Sequence, residues 1–520
     1  MPESERRMRH RRHRIRRFFH RIFNRITLTA LLLLFQFAWL MGLVLRLAQH
    51  AVWVNLFFTA VSVILALIII RRDDNPAYKI NWLLVLCILP LFGVLVYALL
   101  GNKHLSRRLR RKLDTVERAH PVPRREIPDG LPPRFAASCC YLTRHGSGAV
   151  SCDTDVDYFA LGDELYPALL RDLEAAERYI FLEYFIISEG KMLDGIMDIL
   201  KRKAAAGLDV RIIYDDIGCE AAASLSFIPD AQRHGIRCLA FNPIIPIISI
   251  VMNHRDHRKI VVIDGKVAYT GGINLADEYI NEKVRFGHWK DTGLRLRGTA
   301  AHSFLYMFLN LWNALRPTET DYTPFLAPVP DALSPQRPDL VLPFSDSPLD
   351  EEHVGQTVYL EILAQAERYV YIFTPYLIID NEMQTALCTA AKRGVDVRIV
   401  TPGIPDKKMA FRLTRSYYPV LLRAGVKIYE YTPGFIHAKS FVSDDRIGVV
   451  GTINLDYRSL YLHFECGTLL YGGEAVRALR DDSIRTMEQS RAVIPTDLDK
   501  PRALIQRFID AVLRALSPMF

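Results

Sequence analysis

"NHRDHRKIVVIDGKVAYTGGIN", residues 253 to 274, sets His257, Lys259 and Asp264 around the apolar run Ile260 to Ile263. The run is short and β-branched, which predicts a buried strand. Alternation along a strand puts His257 and Lys259 on one face at its mouth. Taken alone, such a pair reads as a solvated strand end. Metal ligation by His254 and His257 is disfavoured, because no cysteine or carboxylate follows at a metal-ligand spacing.

A second copy changes the reading. Residues 434 to 454 read "GFIHAKSFVSDDRIGVVGTIN", where His437, Lys439 and Asp444 repeat H-x-K-x-x-x-x-D 180 residues after the first. A Gly-x-x-Asn turn follows each, ending at Asn274 and Asn454, 17 residues after its histidine. Upstream, "AERYIFLEYFIIS" (176–188) answers "AERYVYIFTPYLIID" (366–380), and "AAAGLDVRIIYDDIG" (204–218) answers "AAKRGVDVRIVTPGI" (390–404). Downstream, "WKDTGLRLRG" is loosely echoed by "FECGTLLYGG", matching Asp291 with Glu465. A period this long suits a duplicated domain rather than a solenoid. Each half reads as strand, helix, strand, the His-Lys strand and a later helix, an α/β fold with helices covering the sheet.

Two histidines, two lysines and two asparagines supply phosphodiester chemistry without a metal or other cofactor. The non-bridging oxygens need neutralising, and the leaving alcohol needs a proton. Lys259 and Lys439, helped by Asn274 and Asn454, are expected to hold the phosphate. One imidazole then attacks phosphorus while the other protonates the leaving oxygen. The halves must face one another across a pseudo-two-fold axis. Asp264 and Asp444 sit at the far ends of their strands, where orienting a partner or closing a turn competes with direct catalysis.

The paired motifs resemble the phospholipase D superfamily. "NHRDHRKIVVIDGKVAYTGGINLADEY", "GHWKDTGLRLRG", "PGIPDKK" and "YTPGFIHAKSFVSDD" resemble bacterial cardiolipin synthases within it. Asp256 departs from the asparagine expected before the first histidine and leaves all six motif residues intact. The resemblance implies His257, Lys259, Asp264, His437, Lys439 and Asp444 as catalytic residues. It further implies transfer of a phosphatidyl group from one phosphatidylglycerol to another, giving cardiolipin and glycerol. A phosphatidyl-histidine intermediate is implied on His257, with His437 as acid and then base.

Half of the composition is hydrophobic, and much of it lies in three charge-free stretches: Ile26 to Leu45, Ala51 to Ile70 and Asn81 to Leu100. Each is about 20 residues, the length that crosses a bilayer core as a helix. The first is longer than a signal-peptide core, and no small-residue cleavage site follows it. Buried core helices are the alternative for the others, but helices apolar on every side favour membrane. Two to three transmembrane helices are therefore predicted. Residues 1 to 25 hold ten arginines and residues 103 to 125 hold nine Lys plus Arg. Both flanks prefer the cytoplasmic side, which an odd number of spans does not allow. The run "SRRLRRKL" and the family resemblance favour a cytoplasmic catalytic region at a bacterial cell membrane.

The expected organisation is a basic tail (1–25), a membrane region (26–100), a basic juxtamembrane linker (101–135), phospholipase D-like domains at 136–316 and 351–520, and a proline-rich linker at 317–350. The net charge of +9 is concentrated in the membrane flanks, which suits anionic lipid or topological anchoring. Nucleic acid is disfavoured because the basic residues hug the membrane. Eight scattered cysteines suit a reducing compartment. The C-terminal "PRALIQRFIDAVLRALSPMF" has helical apolar spacing, for packing on the second half or lying on a membrane surface. A hydrolase using water as acceptor would share every motif residue. A catalytically dead membrane scaffold would be expected to have lost part of one motif, and neither is damaged.

Overall fold

Proline decides where the apolar N-terminal region breaks. The computed structural model describes residues 25–50, 52–101, 107–221, 226–243, 253–328, 340–494 and 504–519. The predicted basic tail up to residue 24 and residues 329–339 of the predicted linker lie outside them. The chain divides into two compact units, one comprising Met1–Ser106, Asp216–Ala223 and Asn242–Asn253, the other the remainder. In the first unit, helices span Arg25–His50, Val52–Arg71, Pro76–Ile88 and Pro90–Leu100. The third charge-free stretch is therefore two helices rather than one. Pro90 has no amide proton to continue the preceding helix, and Leu89 leaves the helical conformation (φ −134°, ψ 72°). Ser62 donates to the Leu86 carbonyl at 2.8 Å, and Trp82 meets Tyr97 edge-on at 4.9 Å. Among the described residues one helix, Val52–Arg71, is long and apolar enough to cross a membrane. Its Val52 and Trp53 are 83% and 80% exposed.

The second unit carries both motif copies. Its first-half strands are β1 (Thr154–Phe159), β2 (Tyr179–Tyr184), β3 (Asp209–Asp215), β4 (Arg237–Phe241), β5 (Arg255–Asp256), β6 (Lys259–Ile263), β7 (Val267–Gly271), β8 (His288–Lys290) and β9 (Gly293–Gly298). Seven form a mixed sheet in the order β1-β9-β7-β6-β2-β3-β4. The predicted buried strand is β6. Its Ile-Val-Val-Ile run is covered on both faces and pairs antiparallel with β2 and β7, where β-branched side chains fit the pleat.

The second half contributes β10 (Leu340–Asp346), β11 (Tyr369–Phe373), β12 (Leu377–Ile378), β13 (Asp396–Pro402), β14 (Lys427–Tyr431), β15 (Gly434–Ile436), β16 (Ser440–Ser443), β17 (Ile447–Gly451), β18 (Leu455–Asp456), β19 (His463–Tyr471) and β20 (Ser490–Ala492). The order β10-β19-β17-β16-β11-β13-β14-β20 repeats the arrangement of the first sheet. Residues 340–346 were expected in the linker. They form β10 instead, because the alternation of Leu340, Leu342 and Phe344 lies hidden among prolines and pairs in full with β19.

One helix joins the two sheets into a single core. Ala300–Leu315 is mostly apolar, with Asn310 and Asn313 bonded to the Tyr322 hydroxyl, and Phe304, Leu305, Phe308, Leu309 and Trp312 are all at most 1% exposed. A helix with so wide an apolar surface must be enclosed, and it packs on β6, β7 and β9 of one sheet and β10 of the other. Each buried Phe or Leu contributes roughly 2–3 kcal/mol of transfer free energy. The expected basic linker is helical at Arg107–Ala119, whose Leu113 joins this core. The helix Pro133–His145, placed by sequence at the start of the first domain, packs on second-half elements, with Phe135 4.3 Å from Tyr471. At the C-terminus the helix Leu504–Ala515 packs through Arg412–Asp510 (2.6 Å) and Arg514 over Tyr417. Leu513 is buried, while Phe508 and Val512 stay exposed.

Candidate active site

The halves exchange strands where the motifs begin. β5 pairs in parallel with β19 of the second half, and β15 pairs in parallel with β8 of the first. The His257 amide donates to the Phe464 carbonyl at 2.9 Å, and the His437 amide donates to the Lys290 carbonyl at 2.7 Å. The residue following each acceptor is a carboxylate. His257 Nδ1 lies 2.9 and 3.0 Å from the two Glu465 oxygens. His437 Nδ1 lies 2.6 Å from Asp291 Oδ2. Each imidazole is thus oriented at two points by the opposite half, which leaves its Nε2 available for chemistry.

The short strand β5 is fixed by buried charge. Arg258 bridges Glu183 (2.6 Å) and Asp256 (3.2 Å), and Asp215 accepts the Asp256 amide and lies 3.7 Å from Arg255. Removing one partner of such a buried pair costs several kcal/mol, roughly 3–5. β8 is tied down by Lys290, which donates to Asp482 and to the Ala160 carbonyl, both at 2.7 Å. Asp291 needs space beneath it. A Cβ on Gly272 would sit 2.0 Å from Asp291 Oδ1, so the glycine of the first turn admits the carboxylate. The second turn has Thr452 there, and its hydroxyl donates to Glu465, as does Ser459 at 2.6 Å.

Lys259 and Lys439 each donate to the carbonyl of the histidine two residues earlier. Both lysines act electrostatically on both imidazoles, so the four groups form one site. Burial, then Lys259, holds the His257 imidazole well below its ordinary range. Burial and Lys439 bring His437 down to about 4, although Asp291 pulls it up. Burial likewise brings Lys259 to about 8 and Lys439 to about 7. The carboxylates differ. Burial pushes Asp291 up, but Lys439, His437 and the Thr292 amide outweigh it and hold it below its ordinary value. Burial dominates at Glu465 and raises it well above the carboxylate range, against Lys259, Ser459 and Thr452.

Asn274 accepts from the Ile186 amide at 3.1 Å and donates to the Tyr279 hydroxyl at 2.7 Å. Asn454 is buried, and its Oδ1 has no hydrogen-bond partner among the described residues. Asp264 and Asp444 stand at the far ends of their strands, in the turn-closing position that the sequence left open beside direct catalysis. Five strand residues, roughly 16 Å, separate Lys259 from Asp264. Asp264 accepts the amides of Glu177, Arg178 and Tyr179 at 2.8–2.9 Å, and Asp444 those of Glu367, Arg368 and Tyr369 at 2.8–3.0 Å. Both have positive φ (54° and 56°) and close the turn that starts the neighbouring strand.

Sequence reasoning missed the aromatic and imidazole surroundings. Tyr279 and Trp289 pack on His437 at 5.3 and 5.7 Å, and Phe185 and His463 pack on His257 at 5.1 and 5.4 Å. The echo of Asp291 in Glu465 was the one available signal for the carboxylates. His257, His463 and Glu465 bring three ligand-type atoms within 4.8 Å of one another. A metal there would have to displace the His257–Glu465 hydrogen bond beside Lys259.

With this geometry in hand, similarity to known proteins is informative. The family model described as "Cardiolipin synthase, PLD-like domain" matches residues 169–284 and 359–485, and "Phospholipase_D-nuclease N-terminal" matches residues 60–102. A cardiolipin synthase of Listeria monocytogenes is 34% identical over 492 residues, covering 92% of this chain and all of that one. One from Alkalihalophilus pseudofirmus is 34% identical over 474 residues, 89% of this chain and 93% of the relative. The crystal structure of phosphatidylserine synthase from Haemophilus influenzae Rd KW20 shares the fold at a TM-score of 0.52 and 15% identity, covering 70% of this chain and 95% of that one. The chain belongs to the phospholipase D-like cardiolipin synthase family, whose members are phosphatidyltransferases.

Proposed function

We propose that the protein transfers a phosphatidyl group from one phosphatidylglycerol to a second, giving cardiolipin and glycerol. The observation that carries this reading is the single site in which two His-Lys pairs meet, each histidine oriented by a carboxylate of the other half. His437 takes up a proton as the anionic phosphodiester enters beside it; His257 Nε2 then attacks phosphorus and the bond to the glycerol oxygen breaks, with His437 giving that oxygen its proton. The hydroxyl of a second phosphatidylglycerol then gives its proton to His437 and attacks the phosphatidyl-histidine, releasing His257. Lys259 and Lys439 neutralise the phosphate oxygens, and the side-chain N–H groups of Asn274 and Asn454 donate hydrogen bonds to them. His437 as the proton carrier is favoured by its partner Asp291, which is held in the charged form that stabilises an imidazolium.

Membrane association is supported by the apolar N-terminal helices and the exposed apolar side chains of Val52–Arg71. The wider reading is a multi-pass protein of the bacterial inner membrane, with its catalytic region cytoplasmic and anionic lipid at its basic flanks. The proposed duplicated domains centre on residues 136–316 and 351–520, with β10 added to the second and the helix Pro133–His145 packed on it.

Full-length protein in phosphatidylglycerol bilayers is expected to make cardiolipin and glycerol, with phosphatidic acid minor, by lipid mass spectrometry. Phosphatidic acid as the main product would make it a hydrolase and overturn the reading.

The lysine clamp also sets a pH dependence. The ammonium form, which holds phosphate, is populated below each lysine's pKa, about 7 for Lys439 and about 8 for Lys259. Thus kcat/KM, which reports the free enzyme, should fall as pH rises through 7 to 8. Bound phosphate favours the ammonium, so the same limb of kcat should lie at higher pH. A kcat/KM constant up to pH 9 would remove the lysines from phosphate binding.

A further inference from the structure

The two histidines face different walls. Beside His257 the wall is made by Phe185, against the ring and under Lys259 Nζ at 5.7 Å, and by the His463 ring at 5.4 Å. In the first half, the acid at the end of β3, Asp215, is fully buried behind β5.

In the second half the corresponding loop stays open. β13 ends at Pro402, and a Cβ on Gly403 would meet the Tyr431 carbonyl at 2.2 Å, so glycine permits the chain to turn there. The Gly403 and Ile404 amides then donate to the Gly434 carbonyl at 3.2 and 3.1 Å, three residues before His437. This pins Asp406 and Lys407 beside the site. From the other side, Leu377 pairs with Leu455, which sets Tyr376 next to Asn454. The Tyr376 hydroxyl donates to Asp406 Oδ2 at 2.6 Å, and Lys407 Nζ lies 5.2 Å from the Tyr376 ring centre. Asp406 also lies within electrostatic reach of the Tyr279 hydroxyl, whose ring packs on His437. Lys407 acts on Asp456, two residues past Asn454. Asp406 is half-buried, with Oδ2 held by the Tyr376 hydroxyl.

We propose that Asp406, held by Tyr376 and flanked by Lys407, binds the vicinal diol of the glycerol headgroup on the His437 side of the site. This rests on the transfer reading above, in which glycerol leaves, and the acceptor enters, next to the proton carrier. A carboxylate accepts from hydroxyls, which suits a diol and not the phosphate, so Asp406 is not a competitor of the lysine clamp. Lys407 supplies positive charge for the anionic lipid that carries the acceptor. Because glycerol departs and a glycerol headgroup arrives in the same place, one subsite serves both half-reactions.

The test is a competition within one reaction. Full-length protein in phosphatidylglycerol vesicles is given equal concentrations of deuterated glycerol and propan-1-ol, and labelled phosphatidylglycerol and phosphatidylpropanol are counted by mass spectrometry. The wild type should favour glycerol by about tenfold or more, the value of one hydrogen bond to a charged group. Asp406→Ala should bring the ratio near unity and Tyr376→Phe should lower it. The ratio does not depend on how much enzyme folds, and Asp406→Asn, which keeps the shape of the side chain, provides a second reading. A wild-type ratio near unity, or an unchanged ratio in both Asp406 variants, overturns the subsite. If glycerol preference persists but no cardiolipin forms, the subsite stands and the transfer between lipids is what fails.

Discussion

His257→Ala and His437→Ala should each lose cardiolipin formation by about a thousandfold or more, as removal of one member of a catalytic unit does. The magnitude follows from the shared site. Both imidazoles lie in the field of both lysines, so there is no second complete set of groups to carry the reaction. The double variant should be scarcely worse than either single one, since the second loss removes nothing the first has left working. Initial rates by lipid mass spectrometry, with folding checked by circular dichroism, decide the point. Either single variant within tenfold of wild type would mean that the halves work separately.

The next largest effect is expected at Asp291. Replacement by asparagine removes the charge that stabilises an imidazolium on His437 and offers an amide that can select the wrong tautomer. A loss in kcat on the order of 10³–10⁴ follows, with KM little changed. Glu465→Gln should cost less, within about tenfold. Burial already shifts Glu465 toward its neutral form, and glutamine resembles that form in shape and charge. Equal losses at the two positions would show that the carboxylates do the same work, and the assignment of His437 as proton carrier would lose its support.

The sequence carried the repeat, the buried strand at Ile260 to Ile263 and the two motif cores, because each is a local pattern. What it could not carry is what arises between distant segments. His257 and Glu465 are 208 residues apart, and His437 and Asp291 are 146. The echo relating Asp291 to Glu465 was visible, but within one half neither carboxylate has its histidine to suggest a role. For Asp264 and Asp444 the sequence left two roles open. Their place in the motif suggested chemistry, whereas the requirement they meet is a left-handed turn residue that accepts three amides. Hydropathy joined Asn81 to Leu100 into one stretch, and Pro90 divided it. The apolar alternation of Leu340, Leu342 and Phe344 was masked by the prolines around it.

The reciprocal hold of each half on the other's histidine has a consequence for divergence. In a symmetric pair of identical subunits, any change at one histidine's surroundings is imposed on both. Joining the two copies in one polypeptide lifts that constraint while fixing their stoichiometry at one to one. This chain has used the freedom. Trp289 faces His437 where His463 faces His257, Gly272 stands where Thr452 stands, and aspartate replaces glutamate as the orienting acid. A reaction with a distinct attacking group and a distinct proton carrier gains from such broken symmetry, which covalent fusion makes heritable as a single unit.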